Sequence, residues 1–183
     1  TIVLKEGRAL RGVVSDTGGN AVPGAVLTLS ENVLMAALDG GQSDLDSTTT
    51  ETDKFGAYEF KNVSPGQNYV IEVKADGYGG INTPPLASQA TEDYVHDITL
   101  EVASMLAGTV TSTDGEVIQN VVIQAYLVDK SKPNTKSTTK TDESGYFEIT
   151  DIPPGDFQII ARHPAYRPDA RNKAKSGDMN VTI

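Results

Sequence analysis

Apolar and polar residues alternate with a period of two wherever the chain shows regularity. Ala25, Leu27 and Leu29 alternate with Val26 and Thr28, and Val121, Ile123 and Ala125 repeat the arrangement. Tyr58 and Phe60 flank Glu59, as Phe147 and Ile149 flank Glu148. The longest such run sets Tyr69, Ile71, Val73 and Ala75 against Val70, Glu72 and Lys74, and its later counterpart holds Phe157, Ile159, Ala161 and His163. Successive side chains of a strand point to opposite faces, so this pattern predicts strands with one face on a core and one in water.

Turn chemistry separates the runs. Asp16-Thr17-Gly18-Gly19-Asn20 and Thr113-Asp114-Gly115 supply residues that tolerate positive φ in a hairpin. Asp53 to Gly56 and Asp142 to Gly145 place Asp first and Gly fourth, the type I preference. Pro65-Gly66 and Pro154-Gly155 fit a type II turn. Many short strands with such turns predict antiparallel sandwiches. One short helix is expected over residues 31–38, with Ser30 as its cap and Gly40-Gly41 as its stop.

The pattern also occurs twice. Leu10-Arg11-Gly12-Val13-Val14-Ser15 is answered by Leu106-Ala107-Gly108-Thr109-Val110-Thr111, 96 positions on. Thr52-Asp53 through Phe60 is answered by Thr141-Asp142 through Ile149, 89 positions on. Ser64-Pro65-Gly66 returns as Pro153-Pro154-Gly155, and Gly77-Tyr78 as Ala165-Tyr166. A repeat of this length means two copies of one small domain. Residues 5–100 form the first sandwich and 101–183 the second. Ile2-Val3-Leu4 resembles Ile98-Thr99-Leu100, so residues 1–4 read as a terminal strand belonging to a preceding module. Gln119-Asn120 in place of Pro23-Gly24, and Ala165 in place of Gly77, are expected to loosen two turns.

Composition narrows the functions. Cysteine is absent, which removes disulfides and thiolate metal sites. No apolar run reaches membrane-spanning length, and no signal peptide is present, so any targeting segment lies outside this fragment. The net charge of −10 argues against nucleic acid, whose phosphates need a basic face. Residues 1–100 carry 6 Lys and Arg against 14 Asp and Glu, and residues 101–183 carry 9 against 11. The first copy holds most of the acidity.

Gly12-Val13-Val14, Val22-Pro23-Gly24-Ala25-Val26, Thr52-Asp53 through Tyr58, Pro65-Gly66 through Tyr69 and Gly77-Tyr78 together resemble the carboxypeptidase regulatory-like domain family. These are transthyretin-like sandwiches related to the B-type repeats of bacterial collagen adhesins. The resemblance implies an all-β fold of two tandem Ig-like or prealbumin-like antiparallel sandwiches. It also implies accessory modules without catalysis of their own, found beside peptidases, in transporters and in secreted or surface proteins. A Lys–Asn cross-link known in related surface repeats is not expected here. No Lys lies between Val102 and Val117, and Val73 and Ala161 occupy the acid positions.

Chemistry has few places to reside. His96 and His163 are the two histidines, and no zinc-peptidase or serine-hydrolase signature occurs. The expectation is therefore no enzyme, with His163 packed or at a rim. Asp39, Asp44, Asp46 and Asp53 lie in or beside an acidic loop of the kind that suits Ca²⁺, although usual EF-hand spacing is lacking. No other cofactor is expected. Arg162, Arg167, Arg171, Lys173 and Lys175 form a basic stretch, read first as a solvated loop and, in the alternative, as one that would dock an acidic neighbour or an anionic polymer. Tyr58, Tyr69, Tyr78 and Tyr166 read as core or corner residues, leaving Tyr94 and Tyr126 freer.

The function expected from these features is a non-catalytic spacer pair in a larger extracellular or cell-surface protein, bacterial in origin, with neighbouring domains of the parent chain as partners. The alternative is an accessory module that binds a surface protein or polysaccharide through loops at 39–54 or 162–175.

Overall fold

The computed structural model describes residues 7–31, 47–64, 68–87, 94–129 and 131–183. Contacts divide the chain into two units, residues 1–76 with 82–100 and residues 77–81 with 101–183. Every described element is a strand. The strand expected over 1–4 and the helix expected over 31–38 lie outside the described residues, except that Glu31 closes a strand. Among the described residues no helix is long and apolar enough to cross a membrane.

The strands of the first copy are β1 (Arg8–Asp16), β2 (Val26–Glu31), β3 (Thr48–Glu51), β4 (Ala57–Val63), β5 (Asn68–Lys74), β6 (Ile81–Asn82), β7 (Leu86–Ala87), β8 (Tyr94–Val95) and β9 (Ile98–Leu100). One sheet runs β4-β1-β8, with β9 also on β1, and the other runs β3-β2-β5-β6, with β7 also on β5. Leu27 sits opposite Val73 and Leu29 opposite Ile71, all four buried. Leu10, Val14, Tyr58, Phe60, Ile98 and Leu100 are buried from the other sheet. The period-two pattern thus selects which face of each strand leaves water.

The second copy contributes β10 (Ser104–Thr109), β11 (Val122–Leu127), β12 (Lys136–Lys140), β13 (Tyr146–Ile152), β14 (Asp156–His163), β15 (Tyr166–Lys175) and β16 (Val181–Thr182). Its sheets run β13-β10-β16 and β12-β11-β14-β15. Leu106, Phe147 and Ile149 of the first meet Ile123, Phe157 and Ile159 of the second in one core cluster. Truncating either buried phenylalanine to alanine would cost about 3–5 kcal/mol.

Glycines 12 and 108 explain the Gly-x-Val element of the repeat. The closing strands β9 and β16 run parallel to β1 and β10. A Cβ on Gly12 would collide with the His96 carbonyl oxygen, and one on Gly108 with that of Val181. Only glycine lets the closing strand lie this close.

The second unit also takes in residues 77–81. Gly79 N–H donates to Glu101 O at 2.9 Å, and Gly80 N–H to Asp151 O at 2.8 Å. Ala103 N–H donates to Gly77 O at 2.9 Å, and the Thr135 hydroxyl reaches Gly80 O at 3.3 Å. A Cβ on Gly79 would strike the Pro153 backbone. Lys132 Nζ then ties Glu101 at 2.7 Å to the Pro154 carbonyl at 3.0 Å.

Two turn expectations need correction. Asn120 keeps φ at 59°, close to the 72° of Gly24, and its N–H donates to Thr141 O as that of Gly24 donates to Thr52 O. Asparagine tolerates the left-handed region better than other side chains, so this turn is not loosened. Gly155 has φ near 158° and sits in an open bend between β13 and β14 rather than at a type II turn. Pro65 and Gly66 lie outside the described residues.

Candidate functional site

The repeated Thr-Asp pair builds a brace in each unit. Thr52 Oγ1 accepts from Ala25 N–H at 2.8 Å and donates to Val22 O at 2.7 Å. Thr141 does the same with Val121 N–H, at 2.9 Å, and Ile118 O, at 2.8 Å. Asp53 Oδ1 accepts from Phe55 and Ala57 N–H at 2.8 and 3.0 Å, and Asp142 Oδ1 from Ser144 and Tyr146 N–H at 2.8 and 2.9 Å. Gly56 and Gly145 complete the turns with φ of 74° and 73°. The hydroxyl of Ser144, with the Tyr146 N–H next in effect, holds the Asp142 carboxyl below the usual range.

Of the proposed Ca²⁺ ligands, Asp53 is the one described, and its Oδ1 already accepts two backbone N–H groups of its own turn. Asp39, Asp44 and Asp46 lie outside the described residues. Among the described residues no group of three acidic, histidine or cysteine side chains converges.

The histidines serve their own neighbourhoods. His96 O accepts from the Tyr58 hydroxyl at 2.6 Å, and the His96 ring stacks on Tyr94 with centroids 6.3 Å apart. Burial pushes the His96 imidazole below its ordinary value, against the opposing pull of Asp97. His163 is half-buried at a strand end, as expected, with Ala165 N–H directed at its Nδ1 at 3.2 Å. Tyr166, expected in a core or corner, is instead 48% exposed and lies against His163 at 5.3 Å between centroids.

The basic stretch is not a loop. Arg162 lies on β14, and Arg167, Arg171, Lys173 and Lys175 lie on β15, joined by a tight turn at Pro164-Ala165. The alternating apolar residues Ala161 and Ala174, both buried, explain why this charged segment pairs as strand. Thr48–Glu51 of the other proposed loop is likewise strand β3.

Strand pairing brings further side chains to the outward face of the β12-β11-β14-β15 sheet. Val122 sits between Lys140 and Arg162, Gln124 between Thr138 and Ile160, and Tyr126 between Lys136 and Gln158. Gln158 faces Lys173, and Asp156 faces Lys175. Lys136 Nζ stands 5.7 Å from the centroid of the Tyr126 ring. Lys136, Lys140 and Tyr126 escape a reading by sequence runs, since they belong to strands distant from the basic stretch. Their signal is the alternation in Val122–Leu127 and Lys136–Lys140, which becomes a shared face only once the hairpin register is known.

The carboxypeptidase regulatory-like domain family matches residues 9–101 and again 105–183. No curated protein sequence matches the chain. Among solved structures, a streptococcal ancillary pilin is similar with 11% identity and a TM-score of 0.44, over 96% of this chain and 61% of the pilin. The chain therefore spans less than two thirds of that pilin's length. A shaft pilin from Lactobacillus rhamnosus GG gives 11% identity and 0.39, over 96% and 95%. A minor pilin from Streptococcus agalactiae gives 15% and 0.38, over 96% and 93%. The two sequence matches take in nearly the whole chain and follow the duplicated Gly-x-Val and Thr-Asp elements whose structural work is described above, so the chain belongs to the carboxypeptidase regulatory-like domain family, in two consecutive copies.

Proposed function

We propose that the pair is a non-catalytic structural segment, a spacer, in a larger extracellular or cell-surface protein of bacterial origin. The observation that carries this reading is that the repeated polar residues are engaged within their own modules. Thr52 and Thr141 brace a turn to a strand, Asp53 and Asp142 cap turns, and the repeated glycines admit a closing strand. What the duplication preserves is a fold, not a reacting constellation.

NMR relaxation of the full chain tests this. A common rotational correlation time for both units is the expected result, and separate, shorter times would sink the spacer reading. Sequencing the parent open reading frame on both sides supplies the second test. Further copies of the repeat with a secretion signal support the proposal, whereas a flanking peptidase or transporter domain replaces it with an accessory role.

A further inference from the structure

We propose that the outward face of the β12-β11-β14-β15 sheet binds an anionic, uronate-bearing polysaccharide. Lys136, Lys140, Arg162, Lys173 and Lys175 are exposed on this sheet, and the pairing register puts them on one side with Asp156 as the acid among them. None forms an ion pair among the described residues, whose salt bridges involve Arg11, Lys61, Lys74 and Lys132. A cationic sheet face in a chain of net charge −10 is a local reversal of sign. Between the cations lie half-buried Tyr126, Gln124 and Gln158 and exposed Thr138. The Tyr126 ring, over which Lys136 Nζ stands at 5.7 Å, offers a surface to the C–H face of a sugar once that lysine turns to a carboxylate, and amides and a hydroxyl match its hydroxyl groups. The cations would meet the carboxylates.

The first unit is an internal control. Its sheet uses the same register: Val26 sits between Glu51 and Lys74, Thr28 between Thr49 and Glu72, and Ser30 faces Val70. Where the second unit has Lys140, Ile160 and Tyr126, the first has Glu51, Glu72 and Ser30. Lys74 is already held by Glu72 at 2.7 Å. The first unit keeps one cation, Lys74 at the place of Arg162, but it stands without Lys140 and the ring, so folding does not demand those two in the second unit. That first-unit face carries two carboxylates against one lysine, and with Glu72 already paired to Lys74 it leaves Glu51 alone to meet the five cations of a second copy. The face spans three strand spacings, roughly 14 Å, a width that an extended chain can cross.

The assignment is independent of the spacer role and has its own test. Binding of the full chain to polygalacturonate is measured by affinity electrophoresis and calorimetry, beside neutral dextran and poly-L-glutamate. We expect polygalacturonate to bind, with affinity that falls as salt rises, and dextran to leave the chain unretarded. The triple variant Lys140→Gln, Arg162→Gln, Lys173→Gln should weaken binding at least about tenfold and flatten the salt dependence. Tyr126→Ser, the residue of the first copy, should weaken it about tenfold at unchanged salt dependence. Thermal unfolding of each variant confirms that the fold is retained, and all four positions are on the outer face. Failure to bind polygalacturonate, or equal binding by the triple variant, overturns the proposal. Equal capture of poly-L-glutamate that Tyr126→Ser leaves untouched overturns it in favour of an acidic polypeptide. Concentration-dependent dimerisation abolished by the triple variant overturns it in favour of a second copy.

Discussion

The Thr141 hydroxyl accepts a hydrogen bond from the backbone N–H of Val121 at 2.9 Å while donating one to Ile118 O at 2.8 Å. Thr141 and Val121 are buried, so the Val121 N–H has no water to turn to if the hydroxyl is lost. Thr141→Val should therefore destabilise the second unit by about 1–3 kcal/mol, read as a lower urea midpoint. Thr141→Ser keeps the hydroxyl and should lose much less. Equal losses in the two variants would assign the cost to packing rather than to the bonds.

Gly108→Ala places a methyl group against the Val181 carbonyl. Overpacking of this kind costs about 1–3 kcal/mol, and the short strand β16 is what would yield. Thr111 N–H, which donates to Ile183 O at 2.8 Å, and Ile183 N–H, which donates to Thr109 O at 3.0 Å, should lose protection from hydrogen exchange. Retained protection at both amides would contradict this account.

Asp142 is held below its ordinary value of 3.8, first by the Ser144 hydroxyl. A carboxyl depressed by folding contributes stability that is fully present above its unfolded value and is lost as pH falls through its folded value. Asp142→Asn removes that group's titration, so its acid-unfolding curve should fall less steeply below about pH 4 than that of the parent protein. Urea titrations at successive pH values measure the difference. The variant should also be less stable at neutral pH, where the carboxylate accepts two backbone N–H groups.

His96 works with the same sign through a different cause. Burial lowers its imidazole from 6.5, so the unfolded chain takes up this proton first as pH falls. Stability is fully present above about pH 6.5 and declines as pH drops towards the folded value. His96→Gln should flatten stability between pH 7 and 5. An unchanged slope in the variant would assign that pH dependence to other groups.

The strands and their inward faces were readable because burial on one side forces a period of two. Phe157, Ile159 and Ala161 are buried in the order the alternation predicts. The paired turns were readable for a similar reason, since Asp142 and Gly145 carry the chemistry their backbone positions require. The basic stretch misled because charge density resembles a loop. Ala174 is too small to advertise a strand, yet it is what β15 buries. The cationic face was invisible for a geometric reason: Lys136, Tyr126, Gln158 and Lys173 meet only through pairing across four strands. The placement of Gly79 and Gly80 in the second unit has the same origin, since their partners Glu101 and Asp151 are fixed by folding and not by proximity in sequence.

That placement has a consequence during synthesis. Residues 77–81 leave the ribosome with the first copy, but Gly80 must wait for Asp151 before its N–H finds its partner. At about 5–20 residues per second the interval lasts several seconds, long enough for a sticky segment to find the wrong partner. The waiting stretch is Gly77-Tyr78-Gly79-Gly80, three of its four residues without a side chain. It offers nascent chains little to grasp, and the polypeptide can hold its closing piece in reserve until the second sandwich emerges to receive it.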